Sequence, residues 1–295
     1  MRGCTLGADV GGTHVRLGLL TPEGELQRVK KLRREEVLPD RDPAAFGDAL
    51  RDYIDEAGVP VEAVGVGIPG TLSRDCREVL KVPNIPALDG LPLAELLSRR
   101  AGVPVLLEND TVMLLSGDIH RLGLPARGLL LGVYIGTGLG SAVFYDGKPL
   151  KGRCGLNELG HFPLPGRKEK CSCGNVGCAE NLVSGRYLQA LRREKWPEVP
   201  IGELFPAMEG SRELAEFVDT AACLLAGVVN LLDPEVLVIG GGVPRMKGFP
   251  GEALEEAVRE KAMHPRPAQG LRILWSPGED DTGALGAAWF AAEGR

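Results

Sequence analysis

Apolar and polar positions alternate near the start of the chain, where Val15, Leu17 and Leu19 in "HVRLGLL" are separated by polar or small residues. That period of two is the mark of a strand with one buried face. With "TLGADVGG" before it and the turn "TPEGE" after it, the pattern predicts a hairpin with glycines at its first bend. Helical spacing replaces it over 46–57, where Leu50, Ile54 and Ala57 share a face, and "VEAVGVGIPG" then reads as a buried strand ending in a Gly/Pro loop. A short helix at 92–101 leads to "VPVLLEND", a strand whose last three residues, Glu108, Asn109 and Asp110, are polar. In α/β sheets that edge is where ligands sit.

The segment "LLLGVYIGTGLGSAVFYDGKPL" repeats the opening, with a strand, a bend at Gly136–Gly140, a second strand and a turn at Asp146-Gly147. Leu214, Phe217, Ala221, Leu225, Val228 and Leu232 then predict a helix over 211–232, capped by Ser211 and stopped by "DPE". The strand "VLVIGGGV", a helix at 252–263, the strand "LRILW" and a last helix from about Asp281 complete the chain. The class is α/β, and the two hairpins read as one design used twice. The domain boundary is expected near 111–120, with no linker composition there. Residues 1–115, joined by the final helix 281–295, form a smaller domain and residues 116–280 a larger one.

Composition narrows the functional classes. A chain of 295 residues with 44% hydrophobic content has material for two cores. A net charge of −6 argues against an extended nucleic-acid or anionic-membrane surface. No stretch approaches the ~20 consecutive apolar residues of a membrane span, and "MRGCTLGADVGG" lacks the apolar core of a secretory signal. The expectation is a cytoplasmic protein whose partners are small molecules. Seven cysteines are an odd number, and Cys4, Cys76, Cys154 and Cys223 lack framework spacing, so they read as buried or incidental thiols.

Three glycine-rich bends each follow a strand, "DVGGT" (9–13), "GTGLG" (136–140) and "GGG" (240–242). Glycine lets backbone N–H groups approach phosphate oxygens and reach the geometry of anion-binding nests, although each bend alone also reads as a tight turn. "GTGLGS" breaks the dinucleotide-binding pattern at Ser141, and Gly147-Lys148 is followed by Pro149, so neither a Rossmann fingerprint nor a P-loop is present. Two phosphate-clasping hairpins, one per domain, are left facing a cleft. Phosphoryl transfer from such a site needs a base near the acceptor hydroxyl and a metal on the phosphates. Asp110 is the candidate base, with helix N-capping as its structural alternative. Beside it, the Asn109 amide can both donate to and accept from an acceptor hydroxyl. Asp9 makes sense beside phosphate if it orients Mg²⁺ or its waters, and otherwise caps a turn.

Residues 158–181, "ELGHFPLPGRKEKCSCGNVGCAEN", hold three cysteines and one of the four histidines. Cys171, Cys173 and Cys178 with His161 make the Cys₃His set of a closed structural zinc site, with redox-active or incidental thiols as the alternative. Glu158 and Glu180 are the remaining carboxylates, fixed by such a metal or else solvated. "GRKEK" reads as solvated surface charge.

Taken in order, "DVGGT", "END", "GTGLG", "ELGH", "CSCGNVGCAEN" and "VIGGGV" resemble the ROK family of sugar kinases, on the actin-like ATPase fold, over nearly the full length. "VPNIP", "NLLDPEVLVIGGGV" and "RMKGFP" look most like the D-allose kinases of that family. The resemblance implies transfer of the ATP γ-phosphate to a sugar 6-hydroxyl, with glucose or N-acetylmannosamine as further acceptors. It assigns the general base to Asp110 and sugar contacts to Gly70, Asn84, Asn109, Glu158, His161 and Glu180. The Mg·ATP end falls to Asp9, with Gly11, Gly12 and Thr13 near the phosphates. Gly136, Thr137, Gly138 and Gly140 act from the other domain, and Gly241 and Gly242 approach the nucleoside. It also implies a homodimer. Asn157 stands where the family commonly has Gly, and Thr111-Val112 replace a common Ala-Asn. A sugar-responsive repressor on the same fold needs an N-terminal helix-turn-helix, for which the bend at residue 9 leaves no room. A non-catalytic sugar sensor has no use for Asp110 beside three glycine bends.

Overall fold

The computed structural model describes residues 3–39, 42–153 and 157–294, so Cys154 lies outside the described residues. The chain forms two compact units, residues 1–124 with 151–156 and 279–295, and residues 125–150 with 157–278.

The first unit begins with the hairpin of β1 (Cys4–Val10) and β2 (His14–Leu20), to which β3 (Leu26–Arg33) adds antiparallel. Then come α1 (Arg34–Val37), α2 (Ala45–Ala57), β4 (Val61–Ile68), the short pair β5 (Thr71–Leu72) and β6 (Val79–Lys81), and α3 (Leu93–Ala101). They are followed by β7 (Val105–Asn109) and α4 (Asp110–Arg121). The sheet order is β3-β2-β1-β4-β7, with β1, β4 and β7 parallel. β3, "LQRVKKLR", is exposed along most of its length and carries no apolar alternation, so the sequence pattern does not announce it. Its charged side chains are those of an edge strand protected against further pairing.

The second unit repeats that topology. Its elements are β8 (Leu129–Ile135), β9 (Leu139–Tyr145), β10 (Lys148–Pro149), α5 (Gly185–Lys195), α6 (Leu204–Ala207), α7 (Arg212–Leu232), β11 (Val236–Gly240), α8 (Gly251–Lys261) and β12 (Arg272–Trp275). The order β10-β9-β8-β11-β12 again places an antiparallel meander beside parallel strands. The predicted duplication is therefore present in the sheets as well as in the bends. Ser211 caps α7 by accepting from the Leu214 amide at 3.2 Å, and Asp233 closes it in the left-handed region. Among the described residues α7 alone has the length and apolar content to cross a membrane. Its Phe217, Ala221, Leu225 and Val229 are instead buried in the core of this unit. Phe205, Phe217, Phe249 and Trp275 pack edge to face there, with centroids 5.3–6.5 Å apart. Each such pair adds about 0.5–1.5 kcal/mol to the burial of its rings.

The chain then returns to the first unit with α9 (Thr282–Glu293). This helix, "TGALGAAWFAAE", is buried on most of its surface, and its small residues bring its backbone onto the sheet and onto α4. A methyl group at Gly7 of β1 would overlap the carbonyl of Ala284, and one at Gly65 of β4 would overlap that of Ala287. Thr5 Oγ1 donates to the Ala288 carbonyl at 2.9 Å. Arg121, at the end of α4, pairs with Glu279 and Asp281 at the start of α9.

Gly65→Ala is expected to destabilise the protein by about 3 kcal/mol, because the added methyl has only backbone to meet and cannot be absorbed by a rotamer change. Denaturant unfolding, compared with a Gly58→Ala control whose left-handed cap has open space around it, checks this.

Candidate active site

In the first unit the functional side chains stand at the carboxyl ends of the three parallel strands. Asp9 is opposite Gly67, and Gly67 opposite Glu108, so both acids lie in one row, about 10 Å apart at two strand spacings. The bend after β1 closes when the Gly11 amide donates to the His14 carbonyl at 2.8 Å. The Gly12 and Thr13 carbonyls accept from Arg34, at 3.0 and 2.9 Å. Among the described residues the amides of Gly12 and Thr13 make no hydrogen bond, and both residues are exposed. Two outward N–H groups of this kind suit a phosphate oxygen. Burial pushes the Asp9 carboxyl above its usual range, and Arg16, 3.6 Å away, pulls it back.

At the end of β7 the structure exchanges two expected roles. Asn109, not Asp110, is the N-cap of α4; its Oδ1 accepts from the Thr111 amide at 3.0 Å and from Thr111 Oγ1 at 2.5 Å. Its Nδ2 donates to the Gly70 carbonyl at 3.1 Å. Both carbonyl lone pairs and one N–H are thus engaged, which leaves Asn109 a single donor for a ligand. It cannot both donate to and accept from a hydroxyl without giving up the cap. Asp110 is the first residue of α4, half-buried, with Oδ1 2.9 Å from the Thr111 amide. Gly70 comes so close to Lys81 and Val82 that a side chain would not fit. Asn84 is exposed in the turn after β6.

In the second unit two bends follow adjacent parallel strands, β8 and β11, paired through Tyr134 and Gly240. The Gly136 and Thr137 carbonyls accept from the Gly185 and Arg186 amides at 2.7 and 3.1 Å, which ties the bend to the start of α5. The amides of Thr137 and Gly138 make no hydrogen bond among the described residues. Gly140 is half-buried at the start of β9. Gly241 has φ +99° and lies against the backbone of Ile135, while Gly242 faces open space.

The cysteine loop is a small knuckle. Cys171 and Asn175 close it backbone to backbone at 2.8 Å, and Gly174 and Gly177 take positive φ. His161 Nδ1 and the three sulfurs all lie within 4.8 Å of one another. Cys171 Sγ is 3.6 Å from His161 Nδ1, and Cys173 Sγ is 3.6 Å from Cys178 Sγ. A tetrahedron with zinc–sulfur bonds of ~2.3 Å has edges of about 3.7 Å, which these two distances match, so three sulfurs and an imidazole gathered this closely suit that metal. Burial, and then hydrogen bonds with Cys173 and Cys171, push the Cys178 thiol up to about 12. Burial also raises Cys171, so a metal entering here displaces protons.

The two carboxylates of the loop differ. Glu180 is 11% exposed, with Oε1 3.4 Å from Cys171 Sγ and its other oxygen against Gly138. Glu158 is 66% exposed and faces His161 Nε2 at 4.0 Å. Asn157 has φ +73°, the left-handed conformation that glycine adopts freely and asparagine tolerates, which accounts for the exchange at this position. Within "GRKEK", Arg167 is not free surface charge, since it pairs with Glu216 and Glu169.

A sequence profile of the ROK family matches residues 5–293. The chain belongs to the ROK family. Among its curated relatives, the glucokinase of Thermotoga maritima is 28% identical over 98% of this chain and 97% of its own. The N-acetyl-D-glucosamine kinase of Pectobacterium carotovorum is 32% identical over 80% of this chain and 83% of its own. The crystal structure of a ROK family glucokinase from Streptomyces griseus, in complex with glucose and AMPPNP, superposes with a TM-score of 0.81 at 26% identity, covering 99% of this chain and 100% of that one. The actin-like ATPase fold expected from the motifs is the fold of these ROK neighbours. Two further side chains beside the site, Arg16 and Lys151, belong to none of the motifs that mark this ROK chain. Arg16 is legible only as the cross-strand partner of Asp9, and Lys151 has no local signal at all.

Asn109→Ala is expected to cost about 1–2 kcal/mol of stability through loss of the cap, and to weaken sugar binding by removing the remaining donor. Thermal unfolding and calorimetric titration with sugar separate the two effects.

Proposed function

We propose that this sugar kinase transfers the γ-phosphoryl group of ATP to the 6-hydroxyl of a hexose, with glucose as the acceptor ahead of N-acetylglucosamine and D-allose. The observation that carries the reading is a carboxylate, Asp110, at the carboxyl edge of a sheet in which β1, two strands away, ends in a bend with two free amides. Likeness to a glucokinase along almost the whole chain supports glucose. D-allose rests on the short stretches "VPNIP", "NLLDPEVLVIGGGV" and "RMKGFP" alone.

Asp110 accepts the proton of the 6-hydroxyl as that oxygen attacks phosphorus. Asn109 donates its free N–H to a sugar hydroxyl. Glu158, His161 and Glu180 receive further hydroxyls, with Gly70 and Asn84 lining the sugar end. Gly12 and Thr13 bind phosphate oxygens through backbone N–H groups, as do Thr137 and Gly138, while Gly11, Gly136 and Gly140 shape the two bends beside the phosphates. Gly241 and Gly242 leave room for the nucleoside. Asp9 would orient Mg²⁺ or its waters, and the ion would supply charge neutralisation on the phosphates. His161, Cys171, Cys173 and Cys178 would hold zinc as a closed four-donor set, which would fix the loop that carries Glu180. The family resemblance and the net charge of −6 support a cytoplasmic homodimer without nucleic-acid or membrane partners.

ATP-dependent phosphorylation of glucose, N-acetylglucosamine, allose, mannose and N-acetylmannosamine tests this. A preference for glucose is expected, and Asp110→Asn should lower kcat by roughly 10²–10⁴-fold while retaining sugar binding. Silence on every sugar from folded, zinc-replete protein would refute the kinase reading. Elemental analysis should find about one zinc per chain, and Cys178→Ala should lose it and weaken sugar binding. Full activity in zinc-free protein would remove the metal from the account.

A further inference from the structure

We propose that Lys151 is a positioning residue for phosphoryl transfer, acting through Glu108 on the start of α4. The inference rests on the reading of Asp110 as the base.

Glu108 is 5% exposed at the end of β7. Its Oε2 meets Lys151 Nζ at 2.6 Å, and its Oε1 accepts from the amide of Asn109 at 3.0 Å. Lys151 Nζ also donates to Cys76 Sγ at 3.0 Å, and the Cys76 thiol faces both Glu108 oxygens at 3.6 and 3.7 Å. The three groups form a closed triangle. Only one of its members, Glu108, touches the Asn109 backbone, and Asn109 in turn caps the helix that begins with Asp110.

The anchor has to be a cation. A cavity of about 390 Å³ lies alongside, lined by Cys76, Arg77, Leu106, Lys151 and Phe290 among others, so two members of the triangle, Cys76 and Lys151, border open space into which water can enter. A carboxylate this buried, without an opposite charge, draws in water or takes up a proton, and either change loosens its grip on Asn109. Burial pulls Lys151 down, but its hydrogen bonds to Cys76 and Glu108 more than offset this, so it stays an ammonium through the working range of pH. The geometry of Asn109 and Asp110 is thus set by Lys151, a residue far from both in sequence that belongs to the same compact unit.

The test uses the full chain with Lys151→Met, Lys151→Arg and the double variant Lys151→Met/Glu108→Gln. Lys151→Met should lower kcat by roughly 10- to 100-fold, as a small misplacement of a reacting group does, with the KM for ATP unchanged. Lys151→Arg should restore most of it. The double variant carries no unpaired charge and should melt like the wild type while kcat stays low. Wild-type kcat in Lys151→Met, or recovery of kcat together with melting temperature in the double variant, would overturn the proposal. Hydrogen exchange at the Asn109 amide reads the same contact without turnover. It should quicken in Lys151→Met even where no sugar is phosphorylated, and unchanged exchange would refute the positioning role. Inactivity of the wild type with quickened exchange in the variant would instead count against the sugar-kinase reading alone.

Discussion

Everything in the first unit depends on how closely one helix can approach one sheet. The backbone of α9 lies directly on Gly7 and Gly65, and Gly286 of the same helix lies against the Met113 carbonyl of α4. Missing side chains on both partners shorten the separation below what an ordinary apolar layer allows. The sheet end and the start of α4 therefore become parts of one rigid block. Gly283 abuts the Asp9 carboxylate, and Arg121 ties the end of α4 to the start of α9. Asp9 and Asp110 are thus referred to a common helix, although neither belongs to it.

The second unit reaches rigidity by other means. Its large aromatic side chains fill the space that glycines remove in the first, and a four-donor knuckle stiffens a loop that contains almost no regular structure. Glu180 links this knuckle to the second glycine bend, because it touches Cys171 on one side and Gly138 on the other. A single carboxylate so placed couples the cysteine loop to the second glycine bend.

Much of this was legible in the order of residues, and the reasons for the exceptions are physical. The parallel strands and α7 declare themselves because burial on one or both faces dictates apolar spacing. The glycine bends and the Cys₃His set are visible because few other residue types do those jobs. β3 stays hidden since an exposed edge strand is selected for charge, and its pairing is fixed by backbone hydrogen bonds that leave no trace in composition. The helix α5, capped by Ser184, went unread amid a run of polar residues. At Asn109 and Asp110 either residue type can cap a helix, and which of them does depends on backbone angles that a one-residue shift reverses. Lys151 lies beyond any local reading, because its partners Cys76 and Glu108 come from separate strands and turns.

The return of the chain in α9 also has a consequence for biosynthesis. The first unit is assembled from both flanks of the second, and the helix that covers its sheet follows every strand of both units in the chain. During translation the second unit has all of its strands before the first has its lid. Until α9 emerges, the glycine-studded face of β1 and β4 waits uncovered, an apolar surface open to chaperones and to other nascent chains. A stop codon or frameshift just ahead of α9 would therefore spare the cysteine loop and the aromatic core, yet leave the sheet that carries Asp9 permanently unfinished.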